Sequence, residues 1–350
     1  MASELNFMKM RKIVLYVFLI VLIFLVYCLW NIFGPVVNNP GKKFLYIPTG
    51  SNYQNVKERL INNKMISNGF WFDKIAGYAG YPEKVKAGKY KITNDMSLYH
   101  LVKMLRSGRQ EPVNLVITKL RTKADLAKKI SSQFETDSLS VIRFMNNEDS
   151  VSQFNVDTNT VMTIVIPDTY TYFWNNSVDN IFRKLYKGEQ NFWTEERKEK
   201  AQKLGLTPVQ VYTLASIVEE ETNKESDKGK IASVYINRLK KGMRLGADPT
   251  VKFALNDFSL TRIYNKHLQF PSPYNTYLNA GLPPGPICTP SVKTIDAVLD
   301  SPQTDYLFFV ARPDFSGYSN FASDYQQHQV YAKAYQAALD SLILSRQQKK

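Results

Sequence analysis

The chain has 350 residues, of which 44% are hydrophobic and 13% aromatic, and its formal net charge is +14. This composition excludes a disordered chain and allows two or three folded domains. The basic residues are spread along the chain instead of forming one tract, so a solvated surface suited to anionic lipid or cell-wall polymers is favoured over nucleic-acid recognition.

The N-terminal segment predicts a membrane anchor. Three basic residues within 1–12 precede an almost uncharged apolar run over 13–33, which is long enough to cross a bilayer as one helix. A cleaved signal peptide is disfavoured because the run ends in bulky residues, and lipidation of Cys28 is disfavoured because Tyr27 precedes it. The positive-inside tendency makes residues 1–12 a cytoplasmic tail. We therefore predict a single-pass protein of the inner (cytoplasmic) membrane whose remaining residues are extracytoplasmic.

A repeated pattern follows the anchor. Residues 34–43, which contain glycine, proline and lysine, are predicted to form a linker. A short apolar strand, a polar turn and a helix then occur three times in succession. The apolar positions of these units share offsets of nine and thirteen residues: Ile47, Val56 and Leu60; Ile92, Leu101 and Leu105; Ile117, Leu126 and Ile130. A further helix is predicted over 70–78. Gly108 is predicted to end the helix of the second unit.

The order strand, helix, helix, strand over 44–92 resembles that of small LysM-like peptidoglycan-binding modules. We assign 44–110 to a LysM-like subdomain, and a plain α+β spacer is the alternative. Residues 111–205 are assigned to an intermediate α+β region, in which Pro167-Asp168-Thr169-Tyr170 follows an apolar run. Residues 206–345 are assigned to a mixed α+β domain, so the fold class of the whole chain is α+β.

The last of these domains begins with a helix. Thr207 is predicted as its N-cap and Pro208 as its first residue, and apolar positions continue it to Glu221. The elements predicted after it are a helix from about Gly229 to Gly242, a helix capped by Asp248 with Pro249 first, a helix over 291–299, a strand over 306–311 and a final helix over 329–345.

Glu221 differs from the two glutamates that precede it. On a helical wheel of about 100° per residue it shares a face with the apolar Ile217 and Val218, whereas Glu219 and Glu220 point away from that face. We expect Glu221 to be the one acid directed inward. A carboxyl group against an apolar wall has a raised pKa and keeps a proton near neutral pH, as a general acid must. The alternative is a structural glutamate held by a neighbouring donor such as Arg238.

Cleavage of a glycosidic bond needs a proton donor and a way to trap an oxocarbenium-like carbon, and paired carboxylates are the common solution. Asp248 is the candidate for a second carboxylate, although a role as a helix cap explains the residue equally well. Without a second carboxylate, one glutamate can act first as acid and then as base while a hydroxyl of the substrate attacks the sugar carbon.

The loop over 274–286 is the other dense cluster of binding residues. The run Tyr274-Asn275-Thr276-Tyr277 precedes a Gly- and Pro-rich stretch over 281–286. Aromatic rings stack on sugar rings, and amides and hydroxyls bond to sugar substituents, while prolines limit the entropy lost on binding. A structural turn packed by tyrosines is the alternative.

Six ordered motifs together resemble the YceG-like family of endolytic murein transglycosylases (MltG). The motifs are Leu214 to Thr222, Ala232 to Leu239, Gly242 to Leu245, Asp248 to Val251, Tyr274 to Tyr277 and Gly281 to Ile287. The resemblance extends over nearly the whole chain. Two departures from the family pattern are Glu220, where other members often carry lysine, and Val165-Ile166, which replace an aromatic pair.

The resemblance implies an inner-membrane enzyme whose catalytic domain is 206–345 and whose catalytic residue, Glu221, lies on a helix. Such an enzyme cuts nascent peptidoglycan strands between N-acetylmuramic acid (MurNAc) and N-acetylglucosamine (GlcNAc) and leaves a 1,6-anhydro-MurNAc end. It implies no cofactor and no metal; its partners would be glycan strands, the membrane and peptidoglycan synthases. The residues that match cleft-forming motifs are Glu219, Asn237, Arg238, Asp248, Thr250, Tyr274, Asn275, Thr276 and Tyr277.

Two other functions remain open at this point. A muramidase-type hydrolase would use Asp248 as its second carboxylate and release a reducing muramic acid. A non-enzymatic scaffold would bind peptidoglycan through the LysM-like part and need no carboxyl group at Glu221.

Overall fold

A computed structural model of the chain describes residues 2–41, 43–67 and 69–347; Lys42 of the predicted linker lies outside the described residues. The first helix, α1 (Ala2–Phe33), includes residues 2–12, which were expected to form a separate tail. The most apolar 18-residue stretch of its segment Phe7–Phe33 has a mean hydropathy of 3.0, and the segment has the length needed to cross a membrane. No part of the most apolar stretch of this segment is buried inside the protein.

The chain divides into two compact units. The first comprises Met1–Val113, Gln133–Glu135 and Thr171–Asn176, and the second comprises Asn114–Ser132, Thr136–Tyr170 and Ser177–Lys350. Most of the residues assigned to an intermediate region, 111–205, therefore belong to the same unit as the C-terminal domain.

After α1, the first unit has the predicted strand, helix, helix, strand order. Its elements are β1 (Phe44–Ile47), α2 (Tyr53–Asn62), α3 (Phe70–Tyr78), β2 (Gly88–Lys91) and α4 (Leu98–Ser107). Strands β1 and β2 pair antiparallel with Phe44 opposite Lys91. Gly108 ends α4 in the left-handed conformation, with φ of 74°, as predicted. The element order is confirmed, and the binding of peptidoglycan by this part stays a prediction.

The remaining chain is mainly helical. Its elements are β3 (Val113–Val116), α5 (Lys123–Ser131), α6 (Ser138–Met145), α7 (Glu148–Ser152), a 3₁₀ helix (Val161–Ile164), β4 (Thr169–Tyr172), α8 (Val178–Phe192), α9 (Glu195–Leu204), α10 (Pro208–Glu221), α11 (Glu225–Lys240), α12 (Asp248–Leu255), α13 (Asn265–Leu268), α14 (Val292–Leu299), β5 (Phe308–Ala311), β6 (Ser319–Ala322) and α15 (Tyr325–Gln347). Strand β3 pairs with β4, and β5 pairs with β6.

Apolar spacing predicted the three strand–helix units correctly. Val113–Val116 followed by Lys123–Ser131 is the third unit, and Leu126 and Ile130 of its helix are buried as expected. The sequence reading missed α6, α7, the 3₁₀ helix, β4, α8 and α9 between residues 135 and 205, and α13 and β6 after them.

Helix α10 forms the core of the second unit. All its residues over 211–218 are buried, and it packs against α11, α12 and α14. Thr207 caps its N-terminus through a capping box with Gln210, and Pro208 is its first residue, which confirms the predicted start. Because α10 is enclosed on every side, the acids of its last turn are also held against protein instead of facing water.

Two predicted helix starts are wrong. Helix α11 begins at Glu225 and not near Gly229, and acidic Glu225 and Asp227 in its first turn favour this earlier start by interacting with the helix dipole. Asp248 does not cap α12, because the N-cap position is Ala247 and no side chain bonds to the free amides there. Asp248 is instead the first residue of the helix, and its carboxylate has another partner.

Candidate active site

Three consecutive glutamates end helix α10, and the expectation that only one of them is directed inward is wrong. The side chains of Glu219 and Glu220 each keep 15% of their exposure, and Glu221 is also partly buried. The three residues differ in their partners. Since a buried carboxylate depends on its partners for its charge, those partners decide which glutamate can hold a proton.

Glu219 and Glu220 are paired with cations. Glu219 Oε2 lies 3.3 Å from the Nζ of Lys228, whose side chain is 4% exposed, and it also accepts a hydrogen bond from Thr294. Glu220 accepts two hydrogen bonds of 3.1 Å from Arg121 and lies 2.8 Å from the Nζ of Lys119. Burial opposes ionisation of Glu220, but the hydrogen bonds from these two cations outweigh it and lower its pKa.

Glu221 forms no ion pair with a described residue. Its Oε1 accepts a hydrogen bond of 2.6 Å from the hydroxyl of Tyr235 on α11. Burial raises the pKa of Glu221 to about 7, and the nearby charge of Asp248 adds to the rise, while the Tyr235 hydrogen bond, Lys252 and Arg238 partly oppose it. The carboxyl group therefore exchanges its proton near neutral pH, which suits both donation and acceptance.

Asp248 is exposed, and its charge acts on Glu221. The hydroxyl of Tyr277 donates a hydrogen bond of 2.7 Å to its Oδ1. Burial raises the pKa of Tyr277, and the hydrogen bond to Asp248 and the charges of Asp248 and Glu221 raise it further. Two tyrosine–carboxylate pairs, Tyr235 with Glu221 and Tyr277 with Asp248, thus lie within electrostatic reach of each other.

The guanidinium of Arg238 is held by two backbone carbonyls. Its Nε donates to the carbonyl of Leu307 at 2.7 Å and its Nη1 to the carbonyl of Leu245 at 2.5 Å. Burial lowers the pKa of Arg238, and Glu221 is one of the charged groups that oppose this effect. The alternative in which Arg238 holds Glu221 by a direct bond is wrong, because Tyr235 is the donor.

Four of the predicted cleft residues are engaged within the protein. The hydroxyls of Thr250 and Thr276 lie 2.9 Å apart and both bond to the backbone of Ala247. The amide nitrogen of Asn275 donates to two carbonyls of the chain just before it. Asn237 likewise donates to the carbonyls of residues 304 and 306. Thr250, Asn275 and Thr276 are at most 1% exposed.

The aromatic and Pro-rich loop packs on the same helices as Glu221. The ring of Tyr274 lies 4.7 Å from that of Phe253 on α12, and the amide of Ile287 donates to Ser216 on α10. At Gly285 an added Cβ would lie 2.1 Å from the carbonyl oxygen of Asn159, so only glycine fits there. These contacts fix the loop beside the end of α10.

Sequence reasoning missed two residues of this site. Tyr235 lies within the motif over 232–239, but its hydroxyl was not assigned to Glu221. Lys252 lies four residues after Asp248 on α12, and this spacing places both on one helix face, which could have signalled its charge near the site. Among the described residues, no group of three or more His, Cys, Asp or Glu side chains could hold a metal ion.

The fold and the site together define a mixed α+β protein with a cation-free glutamate at the end of a buried helix, an arrangement suited to general acid and base chemistry. Comparisons with known proteins give its family. The model of the YceG-like family matches residues 45–334. The endolytic murein transglycosylase of Bacillus subtilis (strain 168) is 30% identical over 282 residues, which cover 76% of this chain and 78% of that protein.

Two further comparisons agree. The endolytic murein transglycosylase of Streptococcus pneumoniae serotype 2 is 27% identical over 301 residues, which cover 76% of this chain and 53% of that protein. A crystal structure of a YceG-like protein from Listeria monocytogenes matches with a TM-score of 0.55 and 29% identity, covering 83% of this chain and 99% of that chain. This chain belongs to the YceG-like family.

Proposed function

We propose that this protein is a membrane-anchored lytic transglycosylase that cleaves peptidoglycan strands internally, with Glu221 as its only acid and base. The observation that carries the proposal is the state of Glu221, which is partly buried, has no ion pair among the described residues and has a pKa raised to about 7 by burial. The names of the relatives from Bacillus subtilis and Streptococcus pneumoniae support the activity.

In the proposed reaction Glu221 donates one proton to the substrate and later accepts one from it. In the first step the Glu221 carboxyl donates its proton to the oxygen that links MurNAc C1 to GlcNAc, and the C1–O bond breaks. In the second step the 6-hydroxyl oxygen of the same MurNAc bonds to C1, and its proton passes to the Glu221 carboxylate. The products are a free GlcNAc hydroxyl and a 1,6-anhydro-MurNAc end, and no water is consumed.

The neighbouring residues have separate roles in this proposal. Tyr235 positions the Glu221 carboxyl and limits the rise of its pKa. In this proposal Tyr274, Tyr277 and Asp248 contact the sugar. The buried Thr250, Asn275, Thr276 and Asn237 shape the loops through bonds to the protein's own backbone, and Arg238 holds the segments after α11 in the same way. Glu219 anchors α14 through Thr294 and α11 through Lys228.

A Glu221→Gln variant tests the proposal. The amide keeps the side-chain volume but cannot donate a proton to the leaving oxygen, so turnover of purified peptidoglycan strands should be lost while folding is preserved. Glu225→Gln is the matched control, because this side chain is 59% exposed and pairs with the buried Lys228, in an ion pair that does not include Glu221. Product release by Glu221→Gln at the wild-type rate would refute the mechanism, and a wild type that binds the strands without releasing product would support the scaffold function.

Hydrolysis is the second candidate, and one observation favours it. Asp248 does not cap α12, so its carboxylate is free of the structural role that would have explained it, and it bonds to Tyr277 near Glu221. An exposed carboxylate in this position could orient a water molecule toward C1. Mass spectrometry distinguishes the two reactions, since the hydrolytic end is heavier than the anhydro end by one water.

We further propose that α1 anchors the protein in the inner membrane with the N-terminus in the cytoplasm and the enzyme outside. The strand, helix, helix, strand part of the first unit would then bind glycan or act as a spacer, and peptidoglycan synthases would be partners. Pulldown of peptidoglycan by variants of that part would test the first of these roles.

A further inference from the structure

A large basic groove lies in the same unit as Glu221 and is not explained by the acid and base chemistry. Its volume is about 1160 Å³, and its walls come from the segment 119–132, from Ile142 and from Asn256 and Phe258 just after α12. Five cations line it: Lys119, Arg121, Lys123, Lys128 and Lys129. Asp125 is the one acidic residue among the lining residues, so the groove has a strong positive excess.

The acids near the groove do not neutralise it. Asp125 accepts hydrogen bonds from the backbone amides of Arg121 and Thr122, where it completes the capping box of α5. Glu220 balances only one of the two cations that contact it, because Lys119 and Arg121 both bond to this single carboxylate. One positive charge is therefore left over at this end of the groove.

The cations at the other end form no ion pairs with described residues. In the part of the chain that the structure describes, Lys128 is exposed and neither it nor Lys129 forms an ion pair. The Nζ of Lys123 donates to neutral oxygens, the carbonyl of Met145 and the Oδ1 of Asn146, although the charges of Asp157 and Glu148 also act on it. Lys128 and Lys129 can therefore form charge-assisted hydrogen bonds with an anionic partner.

The groove begins beside the catalytic helix. Glu220, which contacts Lys119 and Arg121, is the residue immediately before Glu221. Helix α12 connects the two sites at their other border, because Asp248 at its start faces Glu221 and Asn256 at its end lines the groove. A helix of eight residues is about 12 Å long, and an extended peptide of four residues spans about 13 Å.

We propose that this groove is a subsite for the stem peptide of the peptidoglycan strand, and that its cations bind the free carboxylates of that peptide. The inference rests on the proposed function, since it places the peptide of a muramyl residue beside the bond that Glu221 cleaves. The guanidinium of Arg121 lies over the ring of Phe258 at 5.0 Å with its Nε and Nη2 bonded to Glu220, and Lys128 and Lys129 offer ammonium groups that form no ion pair with a described residue. The subsite makes the enzyme prefer peptide-bearing strands over bare glycan.

The test compares two substrates with the full-length protein in detergent micelles. One is uncrosslinked peptidoglycan, and the other is the same material after an amidase has removed the stem peptides. The wild type should show a higher kcat/KM for peptide-bearing strands. In a Lys128→Gln, Lys129→Gln double variant the ratio of the two kcat/KM values should fall by about five-fold, the effect of two exposed ion pairs. A Lys187→Gln, Lys203→Gln variant removes the same charge from exposed sites on α8 and α9 and should keep the wild-type ratio.

A binding measurement separates this proposal from the proposed function. The Glu221→Gln protein should bind peptide-bearing strands more tightly than stripped strands. Adding Lys128→Gln and Lys129→Gln to this protein should remove the difference in affinity. Both results are expected whether or not the wild type shows turnover. Equal binding of both substrates by the Glu221→Gln protein would overturn the subsite. The subsite would also be overturned if stem peptides did not increase the affinity for strands while poly(glycerol phosphate) inhibited strand binding. That result would indicate a phosphate ligand.

Discussion

Replacement of Tyr235 by phenylalanine should move the pH dependence of catalysis upward. The Tyr235 hydroxyl donates a hydrogen bond of 2.6 Å to Glu221, and this bond stabilises the charged carboxylate and so lowers its pKa. Burial nevertheless keeps that pKa at about 7. Because the first chemical step needs protonated Glu221, wild-type kcat/KM should fall as pH rises through about 7.

The size of the change follows from the lost bond. A hydrogen bond to a charged group contributes about 1.5 kcal/mol or more, and about 1.4 kcal/mol corresponds to one pH unit. The Tyr235→Phe variant loses the donor but keeps the ring, so the pKa of Glu221 should rise by about one pH unit. The descending limb of the pH profile should then lie about one pH unit higher than in the wild type.

The assay is kcat/KM on peptidoglycan strands from pH 5 to 9, with product identified by mass. Tyr212→Phe is the matched control, because Tyr212 is a buried tyrosine of α10 whose hydroxyl bonds to the carbonyl of Val165 and not to Glu221. This control should leave the descending limb in place. An identical limb in Tyr235→Phe and wild type, or a wild-type rate that is constant from pH 6 to 8, would refute the assignment of Glu221 as the acid.

Three further predictions concern charge at the end of α10. Asp248→Asn should move the descending limb to lower pH, since the Asp248 charge raises the pKa of Glu221, and should change stability by less than about 0.5 kcal/mol because Asp248 is not a cap. Lys228→Met should cost about 3 kcal/mol of unfolding free energy in urea, because it leaves Glu219 buried without a cation. The pKa of Glu221 is raised from 4.5 to about 7 in the folded state. The free energy of unfolding of the wild type should therefore fall as pH rises between these values, because the folded protein holds a proton that the unfolded chain has lost. Glu221→Gln has no such proton, so its stability relative to wild type should increase by about 3 kcal/mol from pH 4 to 8.

The Lys228→Met prediction has a control variant, and each of the other two has an outcome that would contradict it. Lys198→Met removes an exposed ion pair with Glu195 and should cost less than about 1 kcal/mol, and a loss as large as that of Lys228→Met would contradict the buried-pair argument. A stability difference between Glu221→Gln and wild type that does not vary with pH would contradict the raised pKa. An unmoved descending limb in Asp248→Asn would show that this carboxylate does not influence Glu221.

Much of the fold was predictable because it depends on local patterns. The three strand–helix units recur at constant apolar spacing, and each places its apolar positions in a core. Thr207 and Pro208 mark the start of α10 through their own backbone chemistry. The stretch from 135 to 205 carries similar local signals, since Asp137, Ser177 and Thr194 cap its helices, although no helix was predicted there.

Asp248 and the three glutamates show where local reasoning failed. Asp-Pro is a common helix start, but at Asp248 the N-cap position falls on Ala247, and the carboxylate bonds instead to Tyr277, 29 residues away. A helical wheel assumes that one face of a helix meets the core. Residues 211–218 of α10 are buried on all sides, so the wheel did not reveal that Glu219 and Glu220 are also partly buried, although burial does raise the pKa of Glu221 as expected.

The sequence by itself determined the apolar anchor, the strand–helix units, the helix that ends in three acids and the identity of the acid to test. Only the tertiary structure decided how the charges of those acids are balanced. Arg121 reaches Glu220 across 99 residues and Thr294 reaches Glu219 across 75, while Glu221 meets only a tyrosine. The pKa of a carboxyl group depends on burial and on the charges around it in space, and side chains far apart in sequence supply those charges only once the chain has folded.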